Sequence, residues 1–93
     1  MNIPRFHLAF PVIDLESTRK FYSEVLGCTL GRESNKWIDF NLFGHQIVAH
    51  FSPEECIGTN LNRVDGDMVP SRHFGVILPW EQWKSLCKKM KKQ

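Results

Sequence analysis

The sequence predicts an α+β fold, one βαβββ unit followed by an incomplete second copy made of a β-strand plus a helix. Three observations carry this. Arg5 to Val12 alternates in residue type, the period of a strand with two different faces. Asp14 to Gly27 carries a helical stripe with both ends marked. Arg72-His73-Phe74-Gly75-Val76-Ile77-Leu78-Pro79 then repeats the order of the opening: a basic residue, a His, an apolar run, a Pro and a helical segment. The distance from His7 to His73 leaves room for one whole supersecondary unit. On spacing alone, a duplication and a chance echo both remain open.

In the first strand, Phe6, Leu8 and Phe10 point one way, towards a helix, while Arg5, His7 and Ala9 point the other way. The helix follows. Asp14 is a good N-cap and Glu16 places negative charge in the first turn. Leu15, Thr18, Tyr22, Val25 and Leu26 form its apolar stripe, with Phe21 at the edge, and Gly27 suits a left-handed C-terminus. A short strand over Cys28 to Arg32 comes next, with a turn at Ser34-Asn35. A strand over Lys36 to Phe43 then turns Ile38, Phe40 and Leu42 inward and Trp37, Asp39 and Asn41 outward. Gly44-His45 is a hairpin signal, leading to Gln46–Phe51, where Gln46, Val48 and His50 share a face.

This divides the chain into a first module over 1–51, a linker over 52–71 rich in Pro, Gly, Asn, Asp and Ser, and a partial second module over 72–93. In the last part Trp80, Trp83, Cys87 and Met90 keep helical spacing, with Leu86 beside them.

Bulk properties exclude several function classes. Ninety-three residues make one small domain at most, or part of a larger one, and a chain of this size buries only about 60–65% of its unfolded surface. A formal net charge of +2 argues against nucleic acid. Lys84, Lys88, Lys89, Lys91 and Lys92 read as a solvated helix face that suits the negative end of the helix dipole. Three cysteines, Cys28, Cys56 and Cys87, form no CxxC pair, which favours a reducing cytoplasm over a disulfide framework. No window approaches the length of a membrane span.

Arg5, His7, Trp37, Asp39, Asn41, Gln46, His50 and His73 all fall on faces turned away from the helices. A wet sheet face is usually built of Lys, Glu, Thr and Ser. Imidazoles, an indole, a carboxylate and two amides suit a small-molecule cleft instead, and neutral imidazole is a common metal ligand. In such a cleft Asp39 serves as a base or hydrogen-bonds a polar substrate, and Arg5 pairs with a substrate carboxylate. Asn41 and Gln46 are further substrate-binding candidates. Trp37 has two open readings, stacking on the substrate or packing in a core or dimer contact. His45 belongs to a turn and carries no catalytic expectation. Cys28 reads as a small buried apolar residue.

His7-Leu8-Ala9-Phe10-Pro11-Val12, Asp14-Leu15, Thr18-Arg19, Phe21-Tyr22 and Val25-Leu26-Gly27-Cys28 closely resemble the vicinal oxygen chelate superfamily. That superfamily holds glyoxalase I, bleomycin-resistance proteins and extradiol dioxygenases. Trp37–Phe40 and Gly44–His50 are similar to one bacterial branch of it. The resemblance implies paired βαβββ modules curled around a cleft, with a divalent metal (Zn, Ni, Mn or Fe) between them. It implies His7 and His73 as ligands from the two first strands. His50 is then a third ligand, or Val48 holds the usual carboxylate position and His50 lies off the metal. The Glu that the family supplies from the last strand of its second module has no counterpart here. Three functions follow as implications: metal-dependent lyase or dioxygenase chemistry on a small molecule, non-catalytic binding of a drug or metabolite, or an inactive truncated scaffold. A half-complete second module exposes a sheet edge. The expected partner is therefore a second copy of the chain, in a homodimer whose two chains complete each other, with exchange of the segment after the linker as one route. The alternative expectation is a piece of a longer gene product that supplies the missing strands itself.

Overall fold

The computed structural model describes residues 3–57, 61–64, 66–70 and 72–92. Strand β1 (His7–Val12) opens the chain, and Asp14 caps the helix that follows. Its carboxylate accepts the Ser17 N–H at 2.9 Å, which satisfies one of the free donors at the helix start. These hydrogen bonds to Ser17 hold the Asp14 carboxyl below the usual carboxylate range. Helix α1 (Leu15–Lys20) then widens into a π-turn over Phe21–Val25, where Leu26 N–H reaches back to the Phe21 carbonyl at 3.0 Å. The sequence predicted one uninterrupted helix here. Within the turn, the Ser23 hydroxyl donates to the Arg19 carbonyl at 2.6 Å, a side-chain bond that competes with the regular ladder. Gly27, at φ +77°, ends the helix as expected.

Strands β2 (Thr29–Glu33), β3 (Trp37–Leu42) and β4 (His45–Phe51) complete a four-stranded sheet in the order β1-β4-β3-β2. β1 runs parallel to β4, with His7 opposite Gln46 and Pro11 opposite His50. β3 is antiparallel to β4, with Trp37 opposite His50, Asp39 opposite Val48 and Asn41 opposite Gln46. Phe43 (φ 50°) and Gly44 (φ 90°) join β3 to β4, two positive φ values in a row as a two-residue hairpin turn prefers.

The alternation predicted for these strands holds. Ile38, Phe40, Leu42, Ile47 and Ala49 face α1 with Cys28, and Leu8, Phe10, Val12, Leu15, Tyr22 and Leu26 pack against them. The rings of Phe10, Tyr22 and Phe40 form a chain, with centroids 5.7 Å and 5.1 Å apart. Ile38 (0% exposed) and Phe40 (1%) lie at its centre, and each such side chain contributes about 1.5–3 kcal/mol by leaving water.

Beyond β4 the expectations fare less evenly. The predicted linker contains a 3₁₀ turn (Pro53–Cys56) and an antiparallel hairpin of β5 (Leu61–Val64) with β6 (Asp67–Pro70). The predicted strand from His73 to Leu78 is not formed, since these residues pair with neither sheet. They lie beside β1, where the rings of Phe74 and Phe10 are 5.0 Å apart. A strand added there would meet Pro11, which has no N–H to offer. Helix α2 (Trp80–Lys91) forms as predicted but contains no buried residue. No helix among the described residues is long and apolar enough to cross a membrane.

Candidate small-molecule site on the sheet

Because side chains alternate along a strand, the sheet face away from α1 carries His7, Ala9 and Pro11 from β1, Gln46, Val48 and His50 from β4, and Trp37, Asp39 and Asn41 from β3. Asp39 and Val48 are buried and form the floor. His7 and His50 are exposed at the rim, while Gln46 and Trp37 are half-buried.

One relay of hydrogen bonds crosses this face. The Gln46 amide nitrogen donates to Asp39 Oδ2 at 3.4 Å, and Gln46 Oε1 lies 3.0 Å from His7 Nδ1. The chemistry of each partner fixes the next. Carboxylate oxygens accept, so the Gln46 NH2 turns towards Asp39 and the Gln46 oxygen turns towards His7. An amide oxygen only accepts, so in neutral His7 the proton sits on Nδ1. His7 Nε2 is left with a lone pair directed away from this bond. A buried carboxylate thus prepares an exposed imidazole to accept a proton, accept a hydrogen bond or ligate a metal.

The other sequence candidates are more dispersed. Asn41 Oδ1 accepts the Gly44 N–H at 2.8 Å, so its oxygen serves the hairpin turn. His50 sits opposite Pro11, four positions along from His7, a backbone separation of about 13 Å at ~3.3 Å per residue. Trp37 lies opposite His50, at that far end. Arg5 is exposed and precedes β1. The His73 Nδ1 is 2.7 Å from the Pro70 carbonyl, to which it donates. His45, expected to be idle, has a structural job. Its Nδ1 accepts the Phe6 N–H at 2.9 Å and ties the start of β1 to the start of β4.

The sequence reading missed Arg32. Its Nε lies 3.8 Å from Asp39 Oδ2, and its guanidinium sits 5.9 Å from the centre of the Trp37 ring. The available signal was Gly31 inside a strand pattern, a common mark of a β-bulge.

A divalent metal needs several convergent donors. Among the described residues no group of three His, Cys, Asp or Glu side chains is placed to hold one. His7, His50 and His73 of one chain do not converge, so among the described residues the donor set of one chain does not fit a metal centre. A concavity of about 1090 Å³ lies elsewhere, between Phe10, Tyr22 and Leu26 on one side and Phe74, Val76 and Leu86 on the other. Its walls are mainly apolar, and it lacks the ordered polar relay of the sheet face. His73 lines this cavity.

A four-stranded β1-β4-β3-β2 sheet backed by one helix, with a polar face opposite that helix, defines a βαβββ module. The sequence profile of the Glyoxalase/Bleomycin resistance protein/Dioxygenase superfamily matches residues 6–93, and the chain belongs to that superfamily. A solved structure similar to it is a glyoxalase/bleomycin resistance protein/dioxygenase from Alicyclobacillus acidocaldarius, at 34% identity and a TM-score of 0.73. That match covers 96% of this chain and 62% of the other, so this chain spans less than two thirds of that relative. The fold is also that of the fosfomycin resistance protein FosX from Listeria monocytogenes, at 15% identity and a TM-score of 0.70, covering 99% of this chain and 67% of that one. No curated protein matches the sequence.

Proposed function

We propose that the protein holds a small organic molecule against the sheet face opposite α1, with His7 Nε2 receiving a proton or hydrogen bond from it. The relay Asp39–Gln46–His7 carries this reading, because it fixes which imidazole nitrogen is free. Asp39 then acts through Gln46 rather than on the ligand directly. Trp37 supplies an apolar wall, and Gln46 and Arg5 remain candidates for contact with the ligand.

We infer further that the working form is a homodimer. Ile77, Trp80 and Trp83 are exposed apolar groups, and β1 ends the sheet with its outer edge unpaired among the described residues. A second copy would also be the source of further donors if His7 ligates Zn, Ni, Mn or Fe for lyase or dioxygenase chemistry. The held Nδ1 and free Nε2 are the arrangement that orients metal-ligating imidazoles. The three free cysteines suit a cytoplasmic setting.

A fragment panel of small aromatic and polar molecules, followed by amide and side-chain NMR shifts, tests the site. Saturable shifts at His7, Asp39 and Gln46 that weaken in His7→Ala and Gln46→Leu are expected. Shifts confined to Phe10, Tyr22 and Phe74 would move the site into the apolar cavity and overturn the reading. Metal content of the purified protein, with His7→Ala and His73→Ala alongside, separates a metal-dependent dimer from a metal-free binder. A monodisperse monomer in sedimentation would contradict the dimer.

A further inference from the structure

We propose that Arg32, brought onto the ligand face by a β-bulge in β2, is the carboxylate-binding residue of this site, and that its ligand class is small organic acids. The inference rests on the site proposed above and adds the charge of its ligand.

The register between β2 and β3 is the starting point. Thr29 lies opposite Asn41 and Leu30 opposite Phe40. Unbroken alternation would continue with Gly31 opposite Asp39 and Arg32 opposite Ile38. Ile38 is fully buried on the α1 side, so a regular strand would turn Arg32 towards the core face. The observed partner of Ile38 is instead Glu33. Gly31 and Arg32 together therefore oppose the single residue Asp39, and the strand's facing changes by one residue. Two consequences fit. Glu33 arrives on the helix side, where its carboxylate accepts from the Arg19 guanidinium of α1 at 2.6 Å. Arg32 arrives on the opposite face, beside Asp39 and Trp37.

Gly31 makes the bulge possible. A Cβ at this position would stand 3.1 Å from the Asp39 Cβ, closer than side chains ordinarily approach. With no side chain there, the space beside Asp39 stays clear for Arg32.

The way Arg32 is held points to a receptor rather than a closed ion pair. Its Nε side faces the Asp39 carboxylate at the loose distance of 3.8 Å, and the Trp37 ring flanks the guanidinium. Its side chain is 85% exposed, and its terminal nitrogens have no hydrogen-bond partner among the described residues. A planar guanidinium steered from its inner side, with the outer fork free, matches a carboxylate bidentately. Asp39 thereby serves both ends of the site, orienting Gln46 for His7 and positioning Arg32 for the acid.

Benzoate and its neutral isostere benzamide are suitable probes, titrated into wild type, Arg32→Gln and Arg32→Lys while side-chain NMR signals on the face are followed. Arg32 is exposed, so neither variant is expected to disturb folding. Wild type should bind benzoate about tenfold or more tightly than benzamide, the scale of a charge-assisted hydrogen bond. Arg32→Gln should abolish that preference with benzamide binding unchanged, and Arg32→Lys should restore part of it. If the preference survives in Arg32→Gln while His7 and Gln46 still shift, Arg32 is not the acid-binding group, yet the sheet-face site stands. No saturable shift on this face with either probe would overturn both readings.

Discussion

Residues 3–51 and residues 72–92 have similar local credentials but different fates. Each contains an apolar run led by a basic residue and a His, then a helix with a regular apolar stripe. In the first, the run pairs with β4, α1 covers the sheet, and Ile38, Phe40, Ile47 and Ala49 leave water almost completely. In the second, the run pairs with no strand among the described residues and α2 contains no buried residue. Trp80 and Trp83 stack on each other with ring centroids 5.2 Å apart, both still largely exposed. Periodicity decides that a helix forms. Burial needs a second surface of matching shape, which β3 and β4 supply to α1.

The contrast breaks most readily at Phe40. Phe40→Ala should cost about 3–5 kcal/mol, the usual range for emptying a packed aromatic site, as measured by urea denaturation. Trp83→Ala removes a larger side chain from the C-terminal helix but should stay within about 0.5 kcal/mol in a monomeric sample, because Trp83 is 48% exposed. Equal losses at both positions would show that α2 is part of the same core.

Alkaline pH gives a second, intermediate test. Burial raises the Tyr22 hydroxyl above its ordinary value of 10.0, with a smaller contribution from Cys28, and burial alone raises the Cys28 thiol above 9.0. Both groups sit in the first region, and both are neutral below those values. Their contribution to stability is therefore full below the unfolded values and is lost as pH rises through the raised folded ones. Melting temperature should fall across that window, and Tyr22→Phe should flatten the fall. An unchanged slope in Tyr22→Phe would mean that the ring is not held in the α1–sheet interface.

Phe43 gives an effect well below that of Phe40, and of opposite sign. It holds a positive φ beside Gly44, a conformation that Asn tolerates better than Phe. Phe43→Asn should be neutral or stabilising by up to about 1 kcal/mol in thermal melts. A clear loss would mean that the Phe43 ring, which also borders the large cavity, matters more than the turn.

Much of the first region was legible from residue pattern. Ile38, Phe40 and Leu42 alternate without interruption, Asp14 and Gly27 bracket the helix, and Gly44 marks the turn. The π-turn was hidden because Phe21–Val25 is an ordinary helical sequence, and the Ser23 hydroxyl bond arises only once the chain is folded. The hairpin of β5 and β6 does not stand out in the residue pattern because each strand is only four residues long, too short for a clear alternation, although Asp65-Gly66 is a strong hairpin dipeptide.

Site residues were legible only as faces. Alternation put His7, Asp39 and Gln46 on one side, as the structure does, but it cannot express the bond order that fixes the His7 proton. Alternation also misplaced His73, whose strand does not form. It had no means of finding Arg32, which reaches the face because the strand breaks its own period at Gly31.

The proton on His7 tests the central claim without any ligand. In ¹⁵N spectra of the neutral imidazoles, His7 should carry its proton on Nδ1, while His45, whose Nδ1 accepts the Phe6 N–H, should carry it on Nε2. Gln46→Leu should return His7 towards the Nε2–H form and leave His45 unchanged. A His7 protonated on Nε2 in the wild type, or one indifferent to Gln46→Leu, would contradict the relay and the site built on it.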